Sequence, residues 1–176
     1  MSRLVRPGPG FDELFSSFGR SAWRFETQPA YHVDAEQQAM RRYLNSGELD
    51  VSYLTGWLDG VREATRQGKR YARVRVLTEP LTDYLRFEMA VAPYNIAAGE
   101  DIRVLSPAQA SELALPDYDY WLFDDEWLAI MHFGPSGLRN AEVVTDPETV
   151  EQHRAWRDTA ARNGRSFEDH PARGLS

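Results

Sequence analysis

The chain has 176 residues, 42% of them hydrophobic and 12% aromatic, which matches one globular domain with enough apolar material to offset the entropy of ordering and excludes wholesale disorder. Its net charge of -7, from 20 Lys plus Arg against 27 Asp plus Glu, disfavours non-specific attraction to nucleic-acid phosphates and anionic membranes. With no cysteine, disulfides, zinc-thiolate sites and thiol nucleophiles are excluded.

A reducing cytoplasm suits such a composition. The N-terminus lacks a signal-peptide core and no later run reaches membrane-span length, so the expected location is cytoplasmic. Lys69 is the only lysine, and the remaining cations are arginines, whose rigid fork suits carboxylate pairing.

Residues 1 to 10, rich in Pro and Gly, read as a loose leader. Phe11, Leu14, Phe15 and Phe18 recur at helical spacing, and Trp23 and Phe25 then alternate with Arg24 and Glu26 in an extended segment ending near Pro29. Asp34 with Gln37 predicts a capped helix carrying Met40, Tyr43 and Leu44 and stopping at Gly47. Ser52 opens another, with Leu54, Trp57, Leu58 and Val61 on one face and Gly68 after it. Residues 11–68 are therefore expected as a mainly helical layer.

The period changes at Tyr71. Ala72, Val74 and Val76 alternate with Arg73 and Arg75, which predicts a strand. A helix follows from Thr82 to about Ala92, ended or kinked by Pro93, and then a strand over 101–105, parallel to the previous one because the crossover is long. Ser106-Pro107 opens a short helix. Strands over 120–123 and 127–133 form a hairpin around an acidic turn, and a further strand runs over 138–144. Asp146-Pro147 starts a closing helix with Val150, His153, Trp156 and Ala160 on one face, ending by Gly164, before a polar tail over 164–176. The expected architecture is α/β: a single domain over 11–163, with a mixed sheet of about five strands (70–163) beneath the helical layer.

The segment from Pro116 to Phe133 carries the densest chemistry. Asp117, Asp119, Asp124 and Asp125 interleave with Tyr118, Tyr120 and Trp121, a composition that suits protein recognition if the aromatics face solvent. The carboxylates suit a hard cation in type, but the glycine and final glutamate of a calcium loop are missing, so no metal site and no cofactor are expected. On the 82–92 helix, Asp83 with Arg86 and Tyr84 with Glu88 stand at helical contact spacing and, with Arg73 or Arg75, could edge a pocket for a polar ligand. The same spacing serves an ordinary ion-paired surface, the more frequent outcome. Glu100, Asp101 and Arg103 repeat that ambiguity.

For catalysis, the candidates are Asp119, Asp124, His132 and Arg86 in one cleft, with no nucleophile motif, Walker loop or dinucleotide fingerprint to complete them. Direct DNA binding ranks lower still: Arg62, Arg66, Lys69 and Arg70 form a local basic cluster, but no recognition-helix motif accompanies it.

Several segments carry a family resemblance: Phe18-Gly-Arg-Ser-Ala-Trp-Arg-Phe-Glu-Thr, the run from Arg73 to Glu88, the run from Asn95 to Arg103, Tyr120-Trp-Leu-Phe-Asp-Asp and His153-Arg-Ala-Trp-Arg. Over residues 10 to 160 the chain resembles the actinobacterial domain of unknown function family 6879. Members are often encoded near helix-turn-helix regulators, which implies a regulatory protein partner. More weakly, the order of elements is similar to a phospholipase D-like half-domain with its His-x-Lys-x-x-x-x-Asp motif. On that pattern Asp117 stands at the His, Asp119 at the Lys, and Asp124 matches the Asp. Carboxylates in place of the nucleophile and the phosphate-neutralising cation would repel a phosphodiester.

The functional expectation is a non-catalytic regulatory or signalling module that works through protein contact, with a helix-turn-helix regulator, or by sensing a small polar ligand. The alternative is a small-molecule or phosphodiester-processing enzyme with a non-standard acidic site.

Overall fold

The computed structural model describes residues 2–171. In chain order its elements are β1 (Ser2–Val5), α1 (Pro9–Ser17), β2 (Ser21–Glu26), α2 (Gln37–Ser46), α3 (Thr55–Arg66), β3 (Arg70–Val76), α4 (Asp83–Ala98), β4 (Glu100–Leu105), α5 (Pro107–Glu112), β5 (Tyr120–Phe123), β6 (Trp127–Gly134), β7 (Gly137–Val144), α6 (Pro147–Asn163) and β8 (Arg165–Ser166). Single 3-10 turns at Asp34–Glu36, Ser52–Leu54 and Phe167–Asp169 complete the set.

Among the described residues eight strands form one mixed sheet in the order β1-β7-β6-β5-β2-β3-β4-β8. The sheet is thus larger than the five strands expected, and the additions lie where the sequence signal is weakest. The residues read as a leader supply β1, which pairs antiparallel with β7 from Ser2↔Val144 to Val5↔Ala141. The residues read as a tail supply β8, which pairs with β4 and is followed by Phe167, 1% exposed. Both gain order from edge pairing, a tertiary effect that local polarity does not reveal. Met1 and residues 172–176 of the expected leader and tail lie outside the described residues.

The extended segment expected around Trp23 and Phe25 is β2, a central strand of the sheet. It runs parallel to β3 and antiparallel to β5, and β3 runs parallel to β4 as its long crossover requires. α4 continues five residues past Pro93 to Ala98 instead of ending there. Asn95, buried in that last turn, accepts a hydrogen bond from Trp57 Nε1 at 3.0 Å, and Ala98 is buried beside α3, so packing offsets the missing proline donor. Asp34 does not cap α2; it bonds His32 Nε2 at 3.0 Å within the preceding 3-10 turn. Caps predicted from composition do form at Ser106, which makes a reciprocal capping box with Gln109, and at Asp146.

Because side chains alternate, the sheet has two distinct faces. Trp23, Phe25, Val74, Tyr120, Leu122 and Leu128 pack on one side with Val150 and Ala160 of α6. On the other, Ala22, Tyr71, Trp121, Phe123 and Met131 meet Leu14 of α1 and Leu58 and Val61 of α3. α4 covers the β4 end of this second face, through Leu85 and Met89 against Ile102 and Val104. The result is an α/β/α arrangement in which charged residues at the centre of the second face lie beneath the helical layer. Among the described residues no helix is long and apolar enough to cross a membrane.

Candidate functional site

Parallel register sets the charged centre of the site. Arg24 of β2 stands beside Arg73 of β3, and Glu26 beside Arg75, so period-two alternation in two strands projects four charges from one patch of the sheet. Glu26 binds Arg75 Nε at 2.6 Å, Arg73 Nη1 at 3.1 Å and Arg24 Nε at 3.2 Å. Each arginine has a second carboxylate: Arg75 Nη2 meets Glu88 of α4 at 2.8 Å, Arg73 Nε meets Glu100 at 2.5 Å, and Arg24 Nη2 meets Asp119 at 3.1 Å. Asp119, fully buried, also accepts bonds from the Tyr31 hydroxyl (2.6 Å) and from the backbone N–H and hydroxyl of Thr27 (2.9 and 2.8 Å).

Such a lattice stands only because its charges are mutually paired. Burial works to raise the Glu26 carboxyl, but Arg75, Arg73 and Arg24 overcome it and hold it down to about 2. Arg24 is raised despite burial, by Glu26 and Asp119, and its guanidinium lies 5.4 Å from the Trp121 ring centre and 5.7 Å from that of Tyr31.

Above this floor lies a cavity of about 1080 Å³, roofed by α1, α3 and the 3-10 turns at Asp34–Glu36 and Ser52–Leu54 and edged by α4. Its walls are aromatic, including Phe15, Tyr31, Tyr53, Trp57, Trp121 and Phe133, while Arg24, Glu26, Arg73 and Glu88 reach it from below and the side. Glu36 lines it as well and is 6% exposed. Unlike the other acids of the lattice it has, among the described residues, no arginine in ion-pair contact and no hydrogen-bond partner for its Oε1. Burial and the neighbouring Glu88 charge push Glu36 up to about 8, against a hydrogen bond from Tyr84. The Tyr53 hydroxyl and Trp121 Nε1, both in the cavity wall, also lack partners among the described residues. Buried polar atoms of this kind carry a cost that a bound molecule would offset.

Of the residues singled out from sequence, the fold brings Arg73, Arg75, Glu88 and Asp119 into this lattice. The frequent alternative for such spacing, an ion-paired surface, holds instead for Asp83 and Arg86, which pair at 2.6 Å on the exposed side of α4. Asp117 is exposed at the head of β5. Tyr118 and Tyr120 point to the α6 side, where their hydroxyls bond His153 Nε2 (3.0 Å) and the His153 carbonyl (3.2 Å).

Trp121 is 3% exposed and Tyr120 and Phe123 are fully buried, so the condition set for a recognition patch, aromatics facing solvent, is not met by these rings, while Tyr118 and Trp127 are half-buried. Asp124 accepts the backbone N–H groups of Gly19, Arg20 and Ser21 at 2.7, 2.6 and 2.8 Å, locking a turn in which it has φ 54°, and Asp125 pairs with Arg157 at 2.8 Å. His132 borders a separate, smaller cavity of about 470 Å³ and lies 3.6 Å from Glu142. Asp119, Asp124, His132 and Arg86 therefore do not share a cleft. Asp119 and Asp124 flank β5 at opposite ends, about 16 Å apart at strand rise. Asp119 pairs opposite Met131, which places the next residue, His132, on the other face.

Sequence reasoning passed over Tyr31, Glu36 and Tyr53, and treated Arg24, Glu26 and Trp57 as structural. One signal was available: charged pairs at period two in adjacent buried strands must find partners inside. Nothing local marks Glu36, which reaches the site only through the loop after β2. Among the described residues no group of His, Asp or Glu side chains is arranged to hold a metal ion.

The chain belongs to the family described as Domain of unknown function (DUF6879), whose model matches residues 9–172. No curated protein matches it significantly. Among solved structures it is similar to Nuc of Salmonella typhimurium, a phospholipase D family member, with TM-score 0.59 and 14% identity over 94% of this chain and 97% of that one. It is also similar to NucT from Helicobacter pylori, with TM-score 0.52 and 9% identity over 95% and 99% of the two chains. TrmBL2, described as an archaeal chromatin protein with a novel mode of DNA binding, gives TM-score 0.51 and 9% identity over 94% of this chain and 54% of its own. The fold is phospholipase D-like.

Proposed function

We propose, with membership of DUF6879 on a phospholipase D-like frame as the premise, that this chain is a non-catalytic sensing module. It binds a small polar ligand in the cavity between helical layer and sheet and transmits occupancy to a protein partner, a helix-turn-helix transcriptional regulator. The observation that carries this reading is the cavity of about 1080 Å³ with aromatic walls, a paired ionic floor and unpartnered polar atoms in its lining.

Two features favour sensing over phosphodiester cleavage. On the motif alignment that the resemblance implies, Asp117 and Asp119 stand where a phospholipase D-like half-domain has its His and Lys, so neither a nucleophilic imidazole nor an ammonium would be present there. Each arginine of the floor is already held by two carboxylates, which leaves little positive field for a phosphate. The roof comes from the N-terminal helices and turns, so ligand closure would act on the exposed backs of α1 and α3, where a partner has access.

Thermal unfolding against a panel of small metabolites, with pull-down of a co-encoded regulator in the presence of each hit, tests the reading. A stabilising ligand that alters regulator capture is expected; a flat panel together with no regulator capture would refute it. A second reading, an enzyme, has one observation in its favour: a carboxyl raised to about 8 at a cavity wall is poised for general acid–base work. Turnover of bis(p-nitrophenyl) phosphate that disappears in Glu36→Gln would favour that reading over sensing.

A further inference from the structure

The charge of the ligand can be read from the same site, and this step rests on the sensing proposal. Three arginines, Arg24, Arg73 and Arg75, face Glu26, Glu88, Glu100 and Asp119 in the paired lattice. The paired part is thus one carboxylate in excess before Glu36 is counted. Glu36 adds a fifth acid, on the cavity wall, with an unpartnered oxygen. The groups that act on it are Glu88 and Tyr84 of α4, Tyr53 of the Ser52–Leu54 turn, and Glu26 and Arg75 of the sheet. Arg75 is held by Glu26 through Nε and by Glu88 through Nη2, and among the described residues no arginine or lysine is in ion-pair contact with Glu36.

The walls point the same way. Tyr31, Tyr53, Trp57 and Trp121 line the space, and aromatic faces attract cations and not anions. Arg24, held near the rings of Tyr31 and Trp121, is an intramolecular instance of that preference. We propose that the cavity binds a small organic cation, with an ammonium or guanidinium group seated on Glu36 and its carbon frame against the aromatic wall.

Binding in this mode ionises Glu36. The proton leaves the carboxyl for buffer as the ligand cation takes its place, so charge in the buried site is balanced and the acceptor is satisfied. A carboxyl at about 8 is about nine-tenths protonated at pH 7, so release approaches one proton per ligand.

The test is isothermal titration at pH 7 in two buffers of different ionisation enthalpy, with tyramine, agmatine, putrescine and choline as probes. 4-Hydroxyphenylacetamide and 4-hydroxyphenylacetate serve as neutral and anionic counterparts of tyramine. At least one amine is expected to bind with release of close to one proton. Glu36→Gln should abolish the release and weaken that amine at least tenfold. Gly60→Phe should block all binding, since Gly60 lines the cavity and a side chain there meets open space.

Binding of the neutral or anionic probe in preference to every amine, blocked by Gly60→Phe, overturns the cation assignment and leaves ligand sensing standing. Amine binding without proton release, or unchanged in Glu36→Gln, places the cation elsewhere and overturns the site. Failure of all four amines at millimolar concentration overturns the proposal as well. The broader sensing reading falls only if the metabolite panel and regulator capture also fail.

Discussion

Replacing Glu26 with Gln removes a buried charge that faces Arg75 at 2.6 Å, Arg73 at 3.1 Å and Arg24 at 3.2 Å while keeping the side chain's shape. Breaking a buried pair by deleting one partner costs about 3–5 kcal/mol. Here each arginine keeps one carboxylate, Glu88, Glu100 or Asp119, so the loss should sit near the lower end, about 3 kcal/mol. Linkage leads to the same size: a carboxyl held at about 2 instead of 4.5 contributes on the order of 3 kcal/mol at neutral pH.

Because the folded value is depressed, that contribution is complete above pH 4.5 and is lost as pH falls toward 2. Urea unfolding at pH 7 should show wild type more stable by about 3 kcal/mol, and the melting temperature of the variant should drop by about 6–12 °C for a chain of this length. The gap between the two proteins should narrow steadily below pH 4.5. A loss under about 1 kcal/mol at pH 7, or a gap that stays constant down to pH 3, would mean that the lattice does not hold Glu26 in the way described.

Glu36 should behave with the opposite sign. Its raised carboxyl favours the folded state while protonated, so wild-type stability falls as pH rises from about 4.5 through about 8. Glu36→Gln should therefore melt about 4 °C or more above wild type at pH 8.5 and close to it at pH 5, as followed by circular dichroism; equal melting at both would contradict the burial of an unpaired acid. Asp124→Asn should lose about 2 kcal/mol in urea unfolding through its three backbone contacts without changing ligand affinity, because it lies at the far end of β5; the reverse pattern would make it a site residue. Gly99→Ala should cost about 2–4 kcal/mol, since the glycine has φ 120° and an added carbon would press on Thr65 Oγ1. Thr65→Ala should restore part of that loss in the double variant, and an unchanged denaturation midpoint for Gly99→Ala alone would exclude the close approach of α3 to the end of α4.

Much of the secondary structure was legible because it is written locally. The alternation in Tyr71 to Val76, the Ser106-Pro107 and Asp146-Pro147 helix starts and the hairpin around Asp124 each depend on neighbours a few residues away, and each formed as the pattern predicts. The edges were less legible. Ser2–Val5 and Arg165–Ser166 become strands only because β7 and β4 offer them unpaired backbone.

The site divides along the same line. Residue type and period alone determined that Arg73 and Arg75 share one side of a strand, and left Glu88 between a pocket edge and an ordinary surface pair. Only the tertiary structure decided that β2 lies beside β3 in the register that puts Glu26 among three arginines, and that the loop after β2 carries Tyr31 and Glu36 over them. It also decided that the aromatics of the acidic hairpin turn inward. The physical reason is that burial and charge pairing in a parallel sheet are set by which strands become neighbours, a long-range outcome of packing both faces, whereas helix caps and strand alternation are settled by the chain's own nearest residues.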